Sequence, residues 1–300
     1  MRALVTGGRG FVGNWLVAHL KEQGDEVVAI DHEVDVTIGA AVRDALVSAA
    51  PDVVYHLAAI SNVAESWADP ADAMRVNAIG TLNVIEGARS CDPMPSLLLT
   101  SSAEVYGAVD PVDLPVNEDC ALAPVTPYAA SKVAAEYVGV QAHLAYGLRV
   151  IRVRPFNHVG PGQSTGFVVA ALAARIVAAQ RSGANSIAVG NLSARRDLTD
   201  VRDVVRAYRL LVEVAEDGNV YNVCSGRDVA IEEVARNLTR LAGADVELVT
   251  DPKLVRPVDV PVMRGDPGRL FEATGWRPEI ELDTTLSDVL EYERAKASRP

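Results

Sequence analysis

Short apolar runs rich in β-branched residues alternate with longer amphipathic stretches along the first half of the chain. RALVT (2–6), EVVAI (26–30), DVVYHL (52–57), SLLLT (96–100) and RVIRV (149–153) read as strands. Helices are predicted from Phe11 to Gln23, near Ala71 to Arg89 and near Pro127 to Tyr146. Apolar runs without alternation, separated by helices, mark strands buried on both faces, so the pattern predicts an α/β fold with a Rossmann-type doubly wound parallel sheet.

After Arg154 the periodicity loosens. RPFNHVGPGQSTG (154–166) reads as a loop, followed by a helix from Phe167 to Arg181, a strand at SIAV (186–189) and another at VYNV (220–223). Two or three helices around a short VELV strand and a proline-studded loop, RPVDVPVMRGDP, complete the chain. No repeat, low-complexity tract or separate linker interrupts it, so the carboxy-terminal part is expected to be a smaller lobe resting on the first.

With 300 residues, 49% hydrophobic and 23% charged, the chain can bury a large core and has no disordered character. It opens MRALVTGG, a strand and a glycine turn with no room for a signal peptide, and no apolar run is long enough to span a bilayer, so a cytoplasmic location away from membranes is expected. Cys91, Cys120 and Cys224 lie far apart without metal-ligand spacing, which argues against a disulfide framework or a metal site. A net charge of −12 repels a phosphate backbone and makes nucleic acid an unsuitable partner. Any anionic ligand must therefore meet positive charge supplied locally.

The first strand runs directly into Gly7-Gly8-Arg9-Gly10-Phe11-Val12-Gly13, a GxxGxxG turn opening a helix. Gly7 permits the tight turn, Gly10 lets backbone approach a pyrophosphate at the helix N-terminus, and Gly13 lets helix rest on strand. Asp31 closes the second strand, where a carboxylate can bind a ribose 2′-hydroxyl and repel a 2′-phosphate. NAD is therefore the expected cofactor, with NADP open because Arg9 can offset the repulsion. On this basis residues 1–160 form a dinucleotide-binding domain to which about 197–226 returns, and 161–196 with 227–300 form a substrate-binding lobe.

Tyr128 and Lys132, in PYAASK, lie four apart and share a helix face. An ammonium one turn away favours a phenolate, so the pair suits proton transfer to or from an alcohol. Ser102, in TSSAEVYG at the end of the fourth strand, can hydrogen-bond the same substrate oxygen. Two places on, Glu104 can either remove a proton from a substrate carbon or cap a backbone amide of the Val105–Gly107 turn. His56 and His158 carry no acid or base role in this reading, and Trp67 and Trp276 are expected to be core residues.

TGGRGFVG, DVVYHLAA, VNAIGT, TSSAEVYG, PYAASK and RPFNHVGPG resemble, in order, the motifs of the extended short-chain dehydrogenases, the family of nucleotide-sugar epimerases, dehydratases and reductases. RRDLTDVRDVVRAY, YNVCSG and RPVDVPVMRGD extend the likeness through most of the remainder. By that resemblance Ser102, Tyr128 and Lys132 form the catalytic triad, beside Glu104. Gly7, Gly10, Phe11, Val12 and Gly13 line the cofactor's pyrophosphate side; Asp31, Asp35 and Val36 line its ribose and adenine side. Leu57, Ala58, Ala59 and Asn77 follow along the same cofactor, with Tyr128 and Lys132. Asn157, Arg196, Arg256 and Asp259 touch the nucleotide-diphosphate sugar, the arginines holding phosphates; in the alternative, Arg196 and Arg256 form ion pairs with Asp197 and Asp259. A homodimer is the family's expected assembly.

The implied chemistry is hydride exchange at sugar C4. FNHVGPGQ, GNLSARRDLTDVRDVVRAY, VYNVCSG and RPVDVPV are most similar to reductases of GDP-4-keto-6-deoxy-mannose, which form GDP-rhamnose. The alternatives are a GDP-mannose-type 4,6-dehydratase, to which Glu104 points, a UDP-sugar C4-epimerase, and a dinucleotide-binding protein without turnover. Ala103 removes the acid that thymidine-diphosphate-glucose dehydratases place beside that glutamate.

Overall fold

The computed structural model describes residues 1–254 and 260–298. The chain opens with β1 (Arg2–Thr6), α1 (Phe11–Glu22), β2 (Glu26–Ile30), α2 (Gly39–Ala49) and β3 (Val53–His56). Two short helices, α3 (Val63–Ala68) and α4 (Pro70–Met74), lead through a wide π-turn at Arg75–Ile79 into α5 (Gly80–Arg89) and β4 (Ser96–Thr100). A 3-10 turn at Ala103–Tyr106 precedes α6 (Pro127–Tyr146), β5 (Val150–Pro155), β6 (Asn157–Val159), α7 (Val168–Ser182), β7 (Ser186–Val189), β8 (Arg195–Asp200) and α8 (Val201–Val214). The rest comprises β9 (Val220–Val223), β10 (Asp228–Ala230), α9 (Ile231–Ala242), β11 (Glu247–Thr250), β12 (Val262–Met263), α10 (Gly268–Thr274) and α11 (Leu282–Ala297).

Six parallel strands in the order β2-β1-β3-β4-β5-β9 form the main sheet. Strand periodicity sorts its side chains by face. Val5, Tyr55, Leu98 and Val153 meet α1 and α8 through Leu16, Leu20, Tyr208 and Leu211. Leu4, Val54, Leu97 and Leu99 meet α2, α5 and α6 through Val42, Leu46, Ile85 and Ala142. Both faces are therefore apolar, which explains the unalternating strands. The order reverses between β1 and β3, and a doubly wound sheet opens its ligand crevice at the carboxyl edge beside such a reversal.

β8 pairs with β10, β12 and β6, and β7 pairs with β11. Around them α7, α9 and α11 close a second core containing Ile176, Val234, Leu238 and Val289. β9, far along the chain, supplies the last strand of the main sheet.

Three expectations change. The stretch 71–89 is not one helix: the π-turn divides it and aims Asn77 inward, where the side chain is buried. The segment 154–166 is not all loop, because Asn157–Val159 pairs with Leu198–Asp200. Trp276 is buried and its Nε1 donates to Asp203 O at 3.0 Å, but Trp67 is 52% exposed on a short surface helix. The structure also adds α2, which periodicity left unassigned. No described helix is long and apolar enough to cross a membrane.

Candidate active site

A cleft of about 1140 Å³ runs along the carboxyl edge of the main sheet and is closed on its far side by α7, β8 and the turn at Pro252–Leu254. Gly7 has a φ of +65°, and a Cβ there would lie 2.9 Å from the Ala58 nitrogen. A Cβ at Gly13 would run into the Gly7 carbonyl oxygen and the Gly8 backbone. The Gly10 N–H donates to Gly7 O at 3.0 Å, and α1 starts beyond Gly10 with no side-chain cap. A bare helix N-terminus above a glycine cradle suits a pyrophosphate, so these residues fit a dinucleotide.

Phe11, Val12, Val36, Leu57, Ala58 and Ala59 line the same cleft. Asp31 accepts the Arg9 N–H at 2.8 Å and the His32 N–H at 3.0 Å, so its carboxylate is fixed at the end of β2. The Arg9 guanidinium reaches Glu33 at 3.1 Å. Asp35 Oδ1 accepts the Thr37 N–H at 2.8 Å and hydroxyl at 2.7 Å, and those bonds hold its carboxyl below the ordinary range. Asp35 thus shapes a turn as well as lining the cleft.

Thr126 and Pro127 start α6: the Thr126 hydroxyl accepts the Ala129 N–H at 3.0 Å, and proline occupies the first helical position. This sets Tyr128 in the first turn, where its N–H donates to Ser66 Oγ at 3.1 Å. Burial pushes the Tyr128 phenol up to about 12; the Ser102 hydroxyl pulls it back and the Glu104 carboxylate raises it further. Lys132 Nζ donates to Thr100 O at 2.8 Å. Burial lowers that ammonium to about 8, and Glu136 opposes the fall. Glu136 itself is bound through both oxygens to Arg154 at 2.8 Å. Burial dominates the Tyr128 phenol, with Ser102 and Glu104 acting in opposite directions. Tyr128 keeps its proton at neutral pH.

Ser102 Oγ accepts the Glu104 N–H at 3.2 Å and so caps the 3-10 turn, leaving its own proton to donate. The turn is closed by this serine, while Glu104 lines the cleft. Asn77 clamps Ile60 by accepting its N–H at 2.8 Å and donating to its carbonyl at 3.0 Å; Nδ2 also donates to Ser131 Oγ at 2.8 Å. Ser131 in turn donates to Tyr128 O at 2.7 Å. Ser66, Ser131 and Thr126 escaped the sequence reading because small hydroxyl residues gain meaning only from what the fold places beside them.

On the far wall, Asn157 is exposed on β6 and faces the cleft. Arg196 also lines it, with Nη1 donating to Val260 O at 2.7 Å. Asp197 is fully buried and occupied by Ser225, Gly226 and Gly265 backbone N–H groups, the nearest at 2.8 Å. Arg175 and Lys253 add positive charge to this wall, signals too scattered along the chain to be singled out beforehand. The His158 ring stacks on Phe11 at 6.0 Å between centroids. Arg256 and Asp259 lie outside the described residues. Among the described residues no group of His, Cys, Asp and Glu could hold a metal ion.

A glycine cradle beside a buried Ser-Tyr-Lys centre defines a dinucleotide-linked enzyme, and residues 3–224 match the NAD dependent epimerase/dehydratase family, to which the chain belongs. Among curated relatives, the chain is 39% identical over 293 residues to GDP-6-deoxy-D-mannose reductase of Pseudomonas aeruginosa, covering 96% of each. Among solved structures it resembles RMD from Pseudomonas aeruginosa complexed with NADPH, with a TM-score of 0.91, 37% identity and coverage of 99% of this chain and 100% of that one. UDP-glucose 4-epimerase from Thermotoga maritima, solved with UDP-glucose, is similar at a TM-score of 0.92 and 28% identity, with coverage of 99% and 100%.

Proposed function

We propose that this protein is a nucleotide-sugar oxidoreductase acting at sugar C4, and that it reduces GDP-4-keto-6-deoxy-D-mannose to GDP-D-rhamnose. The observation that carries the chemistry is the buried Tyr128 phenol, lining one cleft with Ser102, Lys132 and the glycine cradle. The likeness to a GDP-6-deoxy-D-mannose reductase over nearly the whole chain carries the substrate.

In this reading a reduced nicotinamide dinucleotide supplies hydride to C4. Ser102 donates to the C4 carbonyl oxygen, and Tyr128 gives that oxygen its proton, so the ketone becomes an alcohol. Lys132, anchored on Thr100 O, keeps positive charge under the tyrosine and the cofactor ribose. Gly7, Gly10 and Gly13 with Phe11 and Val12 seat the pyrophosphate. Asp31 takes the adenosine ribose and sets a preference for NADH; use of NADPH requires Arg9 to leave Glu33. Asp35, Val36, Leu57, Ala58 and Ala59 complete the cofactor wall, and Asn77 supports it from behind by holding Ile60. Asn157 and Arg196 hold the diphosphate, with Arg256 and Asp259 assigned by resemblance alone, so residues 161–196 and 227–300 serve as the substrate lobe.

Glu104 supports a second reading. A carboxylate lining the cleft near Tyr128 suits removal of the C5 proton in a GDP-mannose-type 4,6-dehydratase. The fold alone also accommodates a C4-epimerase. A homodimer in the cytoplasm completes the proposal, supported by Tyr137 and Leu144, 61% and 77% exposed on α6.

The deciding assay mixes the purified protein with freshly made GDP-4-keto-6-deoxy-D-mannose and NADH or NADPH, following cofactor absorbance and sugar products. Stoichiometric oxidation of the cofactor supports the reductase. Conversion of GDP-mannose or a UDP-sugar without net oxidation overturns it in favour of dehydration or epimerisation. Glu104→Gln is expected to change reductase turnover by less than about three-fold, as for a side chain with no bond to the reacting oxygen. A collapse would point to C5 deprotonation.

A further inference from the structure

His56 is buried at the end of β3 and has no place in the chemistry above, yet both ring nitrogens are bonded. Nδ1 lies 2.8 Å from Thr6 Oγ1 and Nε2 lies 3.1 Å from Thr81 Oγ1. The outer partners determine every proton in this chain. Thr81 Oγ1 donates its only proton to Asn77 O at 2.6 Å, so it must accept from His56 Nε2–H. Thr6 Oγ1 accepts the Ala58 N–H at 3.1 Å, and its own proton is free for an unprotonated Nδ1. In the opposite tautomer Nε2 would face an oxygen whose proton is already committed, and the Thr6 proton would lose its acceptor.

The chain joins two parts of the cleft. One end holds the Ala58 amide, whose nitrogen a Cβ at Gly7 would approach to 2.9 Å. The other end holds the Asn77 peptide within the π-turn, and the Asn77 side chain reaches through Ser131 to the Tyr128 carbonyl. We propose that His56 is a positioning residue: as a neutral Nε2–H imidazole it holds the dinucleotide cradle in register with the helix that carries Tyr128. Burial and the nearby Lys132 charge both oppose its protonation, lowering it to about 3, so the hydrogen-bond direction is constant across the working pH range. The proposal rests on reading the cleft as the dinucleotide site.

The two halves of the ring can be removed separately. His56→Asn places an amide oxygen where Nδ1 was and can keep the Thr6 bond, whereas His56→Gln reaches the Nε2 position and can keep the Thr81 bond. His56→Gln should weaken binding of the reduced dinucleotide, read by its fluorescence, by about 10-fold while turnover at saturating cofactor stays near the parent value. His56→Asn should do the reverse, lowering turnover by about 10-fold with affinity nearly unchanged. Equal losses in both quantities, following thermal stability alone, would show a merely structural histidine.

A measurement on the unmodified protein keeps the idea testable if those variants fail to fold. Nitrogen-15 NMR of labelled histidines should show one neutral ring protonated at Nε2 that does not titrate between about pH 5 and 8, below an ordinary histidine's behaviour near 6.5. An Nδ1–H tautomer at the ring resonance-assigned to His56, or titration of that ring in this range, overturns the assignment; His143 and His158, whose Nδ1 atoms face carbonyl oxygens, serve as Nδ1–H references. Thr81→Val should reproduce the turnover loss and Thr81→Ser restore it; parent-like turnover in Thr81→Val overturns the link to Tyr128. If the unmodified protein binds neither NADH nor NADPH, the reading of the cleft fails and the cofactor half of the proposal fails with it. A wrong tautomer in a dinucleotide-binding protein overturns the proposal alone.

Discussion

The two walls of the cleft are built differently. On and behind the main-sheet wall, Thr6, His56, Asn77, Thr81, Ser102, Ser131 and Lys132 are buried polar side chains whose bonds run chiefly to backbone or to one another. On the small-lobe wall, Asn157 and Asn191 are exposed and Arg196 is partly exposed, and these reach the cleft from a short strand, a loop and a mixed sheet. A buried network loses a full desolvation penalty when one member is removed, whereas an exposed side chain can be replaced by water. The sheet wall is therefore suited to a constant task, seating the cofactor and moving a proton. In the proposed function, substrate choice falls to the other wall and can be adjusted there without disturbing the first.

Mutations should separate the walls. The largest effect is expected from Tyr128→Phe, which should cut turnover on the order of 10²–10⁴-fold while cofactor affinity persists. Retained turnover in stopped-flow assays would remove Tyr128 from the chemistry. Gly13→Ala drives a methyl group into the Gly7 carbonyl and Gly8 backbone. It should cost about 1–3 kcal/mol of stability and most cofactor affinity, read by denaturant melts and fluorescence titration. Parent-like binding would mean that the turn can relax.

Smaller effects should follow from Arg196 on the far wall and from Asp31 at the end of β2 on the sheet wall. Arg196→Ala should raise the substrate KM about 10-fold or more, the worth of one charge-assisted bond, with kcat and cofactor affinity preserved. A fall in kcat alone would place Arg196 with the chemistry instead. Asp31→Ala should weaken NADH by a few-fold and leave NADPH unchanged or improved, since a carboxylate that bonds a ribose hydroxyl also repels a phosphate. Equal effects on both would discard the ribose assignment.

A pH effect on stability, with no direct change in catalysis, is confined to the sheet wall. Burial lowers Lys132 from its ordinary 10.5 to about 8. Below about 8 the ammonium is charged both folded and unfolded, and the folded state bears the full cost of burying it. Above that, the unfolded chain binds more protons than the folded one, so the penalty is relieved as pH rises toward the unfolded value. Stability of the cofactor-free protein relative to Lys132→Met should therefore increase between about pH 8 and 10, by at most about 1.4 kcal/mol per pH unit. A flat difference in urea midpoints would show that Lys132 is fully solvated or fully paired.

Much of this was legible in one dimension, because it is carried by local spacing. The Gly7–Gly13 turn, Asp31 at the end of β2, and Tyr128 four residues before Lys132 each lie within one strand, turn or helix. The parallel sheet followed from unalternating apolar strands. The break at Asn77 was not legible: VNAIGT holds weak helix formers but nothing that separates a π-turn from an α-helix, and the turn there is bound up with Ile60 and Ser131, contacts made only after folding. β6 was hidden for a similar reason, since three residues pair only because β8 lies alongside. Trp67 misled because size alone does not decide burial on a six-residue helix.

The sequence by itself determined which residues can do chemistry here: the glycines that permit close backbone approach, the tyrosine, lysine and serine that can transfer or steady a proton, and the order of strands and helices that carries them. Tertiary structure alone decided their state. Burial raises the Tyr128 phenol to about 12 and lowers the Lys132 ammonium to about 8, and neither shift exists until water is excluded. Long-range hydrogen bonds likewise turned Thr6, His56, Thr81, Asn77 and Ser131, spread over 125 positions of sequence from Thr6 to Ser131, into one connected support, because direction and distance between buried polar groups are properties of the packed chain.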